Sequence, residues 1–297
     1  MRRSIIFQDN NQPMANSQTI EPGLYIVATP IGNLSDITLR ALDVLRAADL
    51  IACEDTRTSA KLLSHYGIKA RTRSYHDHNA ESALPQLLQE LQSGKIVALI
   101  SDAGTPLISD PGYRLVREAG LAGIRVIPIP GASSSIAALS VCGLPTDRFL
   151  FCGFLPAKMQ ARAKEIAELA VIPATLVFFE SARRLPEALA ELAQQLGERE
   201  AVIARELTKL HEELRRGTLP ELADYYAEAG EPKGEVVIVV APPLPAEAPA
   251  AEDVEALLSE ALQTMRVKDA AAHVAKATGL PRQELYAKAL QLRPEKP

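Results

Sequence analysis

The chain has 297 residues, of which 47% are hydrophobic and 23% are charged, and its formal net charge at pH 7 is -5. This composition is typical of a globular protein and excludes fibrous and broadly disordered chains. The length is sufficient for two ordinary domains. The negative net charge argues against a protein that coats nucleic acid through its overall charge, although local basic patches could still bind RNA.

The N-terminal segment, residues 1–22, is rich in Asn and Gln and is predicted to be a disordered tail. The apolar run at 5–7 is too short for the core of a signal peptide, and no stretch of the chain reaches membrane-spanning length. We therefore expect a cytoplasmic protein with no membrane partner.

Three cysteines, Cys53, Cys142 and Cys152, lie far apart and lack the spacing of metal ligands. Free buried thiols are a better interpretation than a disulfide or a metal site, and they agree with a reducing compartment. We expect no metal site.

Short apolar runs alternate with amphipathic segments in the first half of the chain. Strands are predicted at 24–28, 50–53, 71–75, 96–100 and 124–129, and helices at 39–46, 60–63, 84–91, 115–119 and 134–141. Residues 35–38 can cap the first helix, and Thr58 and Ser59 precede the second. Strands that alternate with helices pair in parallel, because each helix returns the chain across the sheet. Residues 23–145 are therefore predicted to form an α/β domain.

A second α/β domain is predicted for residues 146–243. Strands are predicted at 149–154, 175–179, 201–204 and 236–240, with a further strand possible within 210–217, and helices between 183 and 196 and between 219 and 227. Two successive α/β domains predict a ligand cleft between them.

The Pro- and Ala-rich stretch at 244–252 is predicted to be a linker. Residues 253–297 then predict a small module with helices at 254–265, 268–277 and 281–290. The last two helices have a helix-turn-helix outline, which is equally compatible with nucleic-acid binding and with a small packing module.

Three loops that contain Gly and Pro follow predicted strands, at 29–33, 101–112 and 128–134. Glycine lets the backbone approach a ligand closely, and open α/β sheets bind ligands beyond the carboxyl ends of their strands. None of these loops has the spacing of a P-loop or of the dinucleotide fingerprint. They indicate a ligand with little phosphate and more adenine or sulfonium character, although each loop alone could simply connect two elements.

Seven motifs occur in a characteristic order. They are Val27–Leu34, Glu54–Arg57, His76–Asn79, Ser101–Gly112, Pro130–Ser134, Phe151–Pro156 and Arg205–Lys209. Together they make residues 24–243 resemble the tetrapyrrole (precorrin) methylase superfamily, and within it the bacterial branch that methylates a cytidine 2′-O ribose of small-subunit (16S) ribosomal RNA. The helical tail resembles that branch as well. The resemblance implies two α/β domains with an interdomain cleft, S-adenosylmethionine (SAM) as the methyl donor, and a homodimer.

The resemblance also implies a set of cofactor contacts. Carried over by position, they fall on Pro30, Ala103, Gly104, Thr105, Ile108, Ser133, Ser134, Glu180, Leu207 and Gly234. The residue types suit SAM, because Gly104 allows the backbone to approach the ligand closely and Ile108 supplies an apolar wall.

A ribose hydroxyl is a poor nucleophile, so a base or a cation that stabilises the developing alkoxide would assist methyl transfer. The candidate bases are Glu54, Asp55, His76 and Glu206, and the candidate cation is Lys209. Structural alternatives are a loop salt bridge between Asp55 and Arg57 and a solvated or domain-bridging pair of Glu206 and Lys209. His76 is more readily explained as a strand-end hydrogen-bonding partner of His78 than as a metal ligand.

Four basic clusters could neutralise RNA phosphates. They are Lys69 with Arg71 and Arg73, Lys158 with Arg162 and Lys164, Arg183 with Arg184, and Arg215 with Arg216. A single charge cluster is more often a solvated face, but four clusters on one chain favour an RNA partner. Two other functions stay open, a methylase of tetrapyrrole carbons and an RNA-binding assembly factor without catalysis.

Overall fold

The computed structural model of this chain describes residues 19–243 and 251–292. Most of the predicted tail and residues 244–250 of the predicted linker lie outside the described residues. Residues 251 and 252 belong to a helix rather than to the predicted linker.

The first compact unit, described from residue 19 to residue 241, contains two five-stranded sheets. The strands of the first sheet are β1 (Gly23–Val27), β2 (Leu50–Cys53), β3 (Thr72–Ser74), β4 (Ile96–Ile100) and β5 (Val126–Ile129). They pair in the order β3-β2-β4-β1-β5, and every pair is parallel. The predicted parallel α/β arrangement of the first half is confirmed.

Helices cover both faces of the first sheet. They are α1 (Leu39–Ala47), α2 (Thr56–His65), α3 (Ala80–Gln92) and α4 (Tyr113–Leu121), with a short 3-10 turn at Leu34–Asp36 before α1. Helix α5 (Ser134–Cys142) follows β5 and packs against the second sheet instead. Side chains alternate along β4: Ala98 and Ile100 pack under α1, while Val97 and Leu99 pack under α3 and α4. Burial on both faces explains why the inner strands β1, β2 and β4 are continuous apolar runs, whereas the edge strand β3 is Thr-Arg-Ser.

The two predicted cap positions have different outcomes. The hydroxyl of Thr38 accepts a hydrogen bond from the Ala41 amide at 3.1 Å, as the prediction for 35–38 requires. Helix α2 begins earlier than predicted, because the Asp55 carboxylate caps it by accepting from the Arg57 amide at 2.8 Å. Ser59 is buried within that helix, so the prediction that Thr58 and Ser59 precede it is wrong.

The second sheet is mixed. Its strands are β6 (Phe149–Phe154), β7 (Thr175–Ser181), β8 (Glu200–Arg205), β9 (Glu213–Thr218) and β10 (Glu235–Val240), in the order β6-β7-β10-β8-β9. Only β6 and β7 pair in parallel, and the other pairs are antiparallel. The connection at 206–212 contains no helix that could carry β9 back across the sheet, so β9 pairs with β8 as a hairpin.

Three helices cover one face of the second sheet, α6 (Met159–Leu169), α7 (Leu185–Leu196) and α8 (Leu219–Ala229). The sequence patterns predict α7 and α8 but not α6. The buried face of α6 includes Arg162, which is 1% exposed and breaks the apolar periodicity that would reveal the helix.

Arg162 is a correction to the predicted RNA-binding set. It forms ion pairs with Glu187 and Glu191 of α7, and its Nη2 donates to the second carboxylate at 2.9 Å. These contacts outweigh burial and raise the pKa of the guanidinium above its ordinary value. Arg162 therefore joins two helices in the interior instead of presenting its charge to RNA.

Helix α5 connects the two sheets. Its residues Ala138, Leu139 and Cys142 pack with Val177 and Val237 on the second face of the second sheet. The carbonyls at its carboxyl end accept hydrogen bonds from Arg216, at 2.6 Å for Val141 and 3.2 Å for Cys142. A cation at this end of a helix is stabilising, so this predicted RNA contact already has a structural role.

The described residues of the second compact unit include α9 (Ala251–Thr264), α10 (Val267–Thr278) and α11 (Arg282–Gln291). Gly279 ends α10 in the left-handed conformation, and Pro281 is the cap of α11, as predicted. Leu258, Val274 and Leu285 form the core of this unit. In the described part of the chain, no helix combines the length and the apolar character that a membrane crossing needs.

We expect Arg162→Ala to lower the free energy of unfolding by about 3 kcal/mol, because it leaves the largely buried Glu191 without its cation. Urea unfolding followed by circular dichroism measures the change. The matched control is Lys164→Ala on the same helix, whose 80%-exposed side chain should contribute less than about 0.5 kcal/mol. Equal losses in the two variants would contradict the internal role of Arg162.

Candidate functional site

A cavity of about 370 Å³ lies between the loops of the first sheet and one face of the second sheet. Loops after β1, β4 and β5 contribute Ile31, residues 103–110 in part, and Ser133 with Ser134. The second sheet contributes Phe154, Phe179–Ala182, Ala204, Leu207 and residues 234–237. The carboxyl ends of three parallel strands therefore meet at one ligand-sized space, as the open-sheet rule predicts.

All the predicted cofactor contacts except Pro30 lie on the wall of this cavity. They are Ala103, Gly104, Thr105, Ile108, Ser133, Ser134, Glu180, Leu207 and Gly234. The neighbouring Ile31 lines the cavity where Pro30 does not. The structure thus brings the set together, and their contact with a cofactor stays a prediction.

Backbone hydrogen bonds hold the three loops in register. Thr29 and Gly104 exchange two of them, at 2.9 and 3.0 Å, and form an isolated antiparallel bridge. The Thr105 hydroxyl donates to the Ala132 carbonyl at 3.1 Å. Gly104 has φ of +80°, a conformation that glycine adopts readily and other residues rarely adopt. The loop after β4 is therefore fixed at its base to both neighbouring loops.

The tip of the same loop is strained. Leu107 and Ser109 have φ of +74° and +61°, although neither is a glycine. Each such conformation costs on the order of 1–3 kcal/mol, and strain of this kind concentrates at functional sites. Between them lies Ile108, whose exposed side chain forms part of the cavity wall.

Glu180 places a fully buried carboxylate on the cavity wall. Its Oε1 accepts from the Ser181 amide at 2.7 Å. Its Oε2 lies 3.3 Å from Nη2 of Arg184 but has no hydrogen-bond partner among the residues that the structure describes. The same Arg184 nitrogen donates to the Leu155 carbonyl at 2.6 Å, so this predicted RNA contact is engaged inside the protein.

Glu206 and Lys209 form an ion pair beside the cavity, with Nζ and Oε1 2.8 Å apart. Lys209 also contacts Glu235 at 2.9 Å. The hydrogen bond from Lys209 lowers the pKa of Glu206. Burial would lower the pKa of Lys209, but its hydrogen bonds to Glu206 and Glu235 outweigh burial and raise it. Both groups are therefore held in their charged forms, which is the structural alternative to a catalytic role.

The other three candidate bases also lie outside the cavity lining. Asp55 pairs with Arg57 at 2.8 Å, and the hydrogen bonds from Arg57 lower its pKa to about 2. Burial raises the pKa of Glu54, and the negative charge of the nearby Asp102 raises it further. Nδ1 of His76 is buried and finds no hydrogen-bond partner in residues 19–243 and 251–292, and the His76 ring centroid lies 6.0 Å from that of His78. Within the described residues, no three His, Cys, Asp or Glu side chains are grouped as metal ligands.

Asp110 and Glu235 are the two titratable residues of the cavity lining that the sequence patterns do not single out, and Glu235 pairs with Lys209. The pKa of Asp110 departs from its ordinary value. Burial raises its pKa to about 6; a hydrogen bond with Ser101 opposes this shift, and the charges of Glu54 and Asp102 reinforce it. Its membership of the motif 101–112 was the only available signal, and that motif does not show which side chain faces the ligand.

The remaining basic residues have mixed environments. Arg215 pairs with Glu213 at 2.8 Å and lies 3.6 Å over the Tyr225 ring, so it has a structural role. Arg73 is half-buried, and Arg71 is exposed but 3.6 Å from Glu90. Lys158 and Arg183 are exposed, as phosphate contact requires.

Two family descriptions match this chain. Tetrapyrrole (corrin/porphyrin) methylases match residues 23–223, and the RsmI C-terminal HTH domain matches residues 248–293. The first match covers both sheets except β10, and the second covers the three C-terminal helices.

Curated relatives cover nearly the whole chain. The chain is 56% identical to ribosomal RNA small subunit methyltransferase I of Mesorhizobium japonicum, over 93% of this chain and 94% of the relative. It is 47% identical to the protein of the same name from Escherichia coli O157:H7, over 90% and 94%. Among solved structures, diphthine synthase has a TM-score of 0.60 at 21% identity, covers 74% of this chain and 89% of its own, and is similar in fold.

We expect Asp110→Asn to stabilise the protein relative to wild type at pH 7.5 but not at pH 4.5. The carboxyl has its ordinary pKa of 3.8 when unfolded and about 6 when folded, so the folded state binds the proton more tightly. Wild-type stability therefore falls as pH rises through this window, whereas the amide does not titrate. Chemical unfolding at both pH values measures the difference, with the exposed Asp224→Asn as control. An equal difference at both pH values would contradict the raised pKa.

Proposed function

The chain belongs to the tetrapyrrole (corrin/porphyrin) methylase family, and on that premise we propose that it is a SAM-dependent methyltransferase of small-subunit ribosomal RNA that modifies a cytidine ribose at its 2′ oxygen. The curated relatives named above act, by their names, on the same class of RNA. The observation that carries the proposal is the cavity where the loops after β1, β4 and β5 meet the second sheet.

The size of the cavity and the chemical character of its lining residues suit SAM. Its volume of about 370 Å³ lies in the range of small-molecule sites, and Ile31, Ile108 and Leu207 give it apolar walls. The buried Glu180 carboxylate, whose Oε2 has no hydrogen-bond partner in the described part of the chain, suits a cationic ligand. Ser133 and Ser134 lie at the amino end of α5, where a helix favours a carboxylate such as that of an amino acid.

When bound, SAM supplies an electrophilic methyl group on a sulfonium. The protein must then align the acceptor oxygen with this methyl group and keep water out, because positioning in a dry site supplies much of the rate of such a transfer. The fixed base of the loop at Gly104 and the apolar walls serve these two tasks.

We include three further features in the proposal. The protein functions in the cytoplasm as a homodimer, as the resemblance implies. Residues 23–145 and 146–243 form the two domains that share the cofactor, and residues 253–297 form the separate tail module. Lys158 and Arg183 supply phosphate contacts, because both are exposed.

The decisive assay is methyl transfer from labelled SAM to small ribosomal subunits from cells that lack the gene. We expect label in the small-subunit RNA, resistant to alkali at one cytidine because a 2′-O-methyl group blocks backbone cleavage. Absence of label despite SAM binding by calorimetry would contradict the proposal. Label in a reduced tetrapyrrole would favour a tetrapyrrole methylase, and subunit binding without SAM affinity would favour an assembly factor.

We expect Gly104→Val to weaken SAM binding at least about tenfold. A β-branched residue is strained at φ of +80°, and its Cβ would lie 3.4 Å from Ile31 on the cavity wall. The matched control is Gly123→Val, which meets similar strain at φ of +71°, but a Cβ there would meet no described residue beyond its chain neighbours within 4 Å. Calorimetry should find the control unchanged, and wild-type affinity in Gly104→Val would disprove this placement of SAM.

A further inference from the structure

Two irregular backbone segments, one from each sheet, meet at the cavity. The first is the left-handed tip of the loop after β4, at Leu107 and Ser109. The second is a bulge in β6, where the pairing with β7 shifts register between Phe151 and Gly153. They are neighbours, since a Cβ on Gly153 would lie 3.6 Å from the Ser109 hydroxyl. Bulges of this kind re-aim the next side chain and are frequent beside active sites.

The side chain that follows the bulge is Phe154, which lines the cavity although 54% of it is exposed. Its aromatic contact is edge-on to Phe179, with ring centroids 5.6 Å apart. The edge-on contact leaves ring surface for a flat ligand. Stacking of nucleobases on such exposed aromatic rings is a common mode of RNA recognition.

Of the carboxylates on the cavity wall, Asp110 is the one that forms no ion pair with another described residue. Of the two others, Glu180 lies against Arg184, and Glu235 pairs with Lys209. Within residues 19–243 and 251–292, Asp110 forms no ion pair with Lys, Arg or His. The charged groups that face it, Glu54 and Asp102, are both acidic, and Ser101 is its hydrogen-bonding neighbour. A carboxylate without a cation is free to accept a proton.

We propose that Phe154 and Asp110 form the subsite for the acceptor nucleoside, in which the phenyl ring stacks on the base and the carboxylate takes the proton of the ribose hydroxyl. This proposal rests on the proposed function and names how the same cavity receives the RNA. It requires the nucleotide to leave its stack and enter from the side of β6.

The proton and electron balance is complete without another reactant. The ribose 2′ oxygen forms its bond to the methyl carbon with its own lone pair, and the electrons of the carbon–sulfur bond stay on sulfur, which becomes a neutral thioether. The hydroxyl proton passes to the Asp110 carboxylate and then to water. The raised pKa of Asp110, about 6, suits a base that works near neutral pH.

Exposed basic side chains flank this subsite. Arg184 donates to the carbonyls of Leu155 and Pro156, which ties the segment after Phe154 to the 3-10 turn at Ala182–Arg184. Lys158 follows the first segment and Arg183 belongs to the turn, and both are exposed. They can hold the phosphates on either side of the flipped nucleotide.

The first test is Asp110→Asn on the full-length protein with small ribosomal subunits. We expect kcat to fall about a hundredfold. We expect the affinities for SAM and for the subunit to stay within about twofold of wild type. The wild-type rate should fall as pH drops below about 6, where the base is protonated, and this limb should vanish in the variant. The exposed Asp224→Asn is the matched control.

The second test is Phe154→Ala, for which we expect subunit binding in the presence of S-adenosylhomocysteine to weaken about tenfold with unchanged affinity for that ligand. Phe154→Trp should restore binding, because it restores the stacking surface. Phe149→Ala is the matched control, since Phe149 lies at the other end of β6 and is 44% exposed.

Wild-type kcat in Asp110→Asn, or a loss explained by weaker SAM binding, would overturn the role of the carboxylate. Equal subunit binding by the Phe154→Ala and Phe149→Ala variants would overturn the stacking role. The proposed function fails differently: the wild-type protein would then transfer no methyl group to RNA. The binding comparison between the two phenylalanine variants needs no methyl transfer and still tests the subsite in that case.

Discussion

The buried apolar layer between α5 and the second sheet is the contact on which the site depends. Ala138 and Leu139 of the helix pack against Val177 and Val237 of the strands, while the loop that leads into the same helix carries Ser133. Burial of such side chains contributes roughly 1.5–3 kcal/mol for each large one. Since this layer fixes the second sheet against the loops of the first, it also sets the width of the cavity.

The two sheets contribute different things to the cavity. The parallel sheet ends all its strands at one edge, so its loops converge and bring their backbone close to the ligand. The mixed sheet instead presents a face, on which Phe179 and Val237 form an apolar wall. A strained tip at Leu107 and Ser109 is tolerated because hydrogen bonds at Gly104 hold the base of the loop.

Some basic side chains stabilise the fold, and others are exposed and can contact a partner. Arg162, Arg184 and Arg216 use their guanidinium groups on partners within the protein, carboxylates for Arg162 and backbone carbonyls for Arg184 and for the exposed Arg216. The exposed Lys158 and Arg183 keep their charges for a partner. A chain with net charge -5 can thus still offer phosphate contacts close to a cavity whose own titratable groups are acidic.

Local patterns in the sequence were sufficient for nearly all strands and helices and for the three loops, because apolar periodicity and Gly-Pro turns depend on neighbours along the chain. They missed α6, whose buried face contains a charged residue, Arg162, that no periodicity rule expects. They also indicated candidate bases, such as Asp55 and Glu206, that form ion pairs with Arg57 and Lys209 in the structure. Which carboxylate faces the cavity without a cation depends on how distant segments pack, and that is why Asp110 emerged only from the folded arrangement.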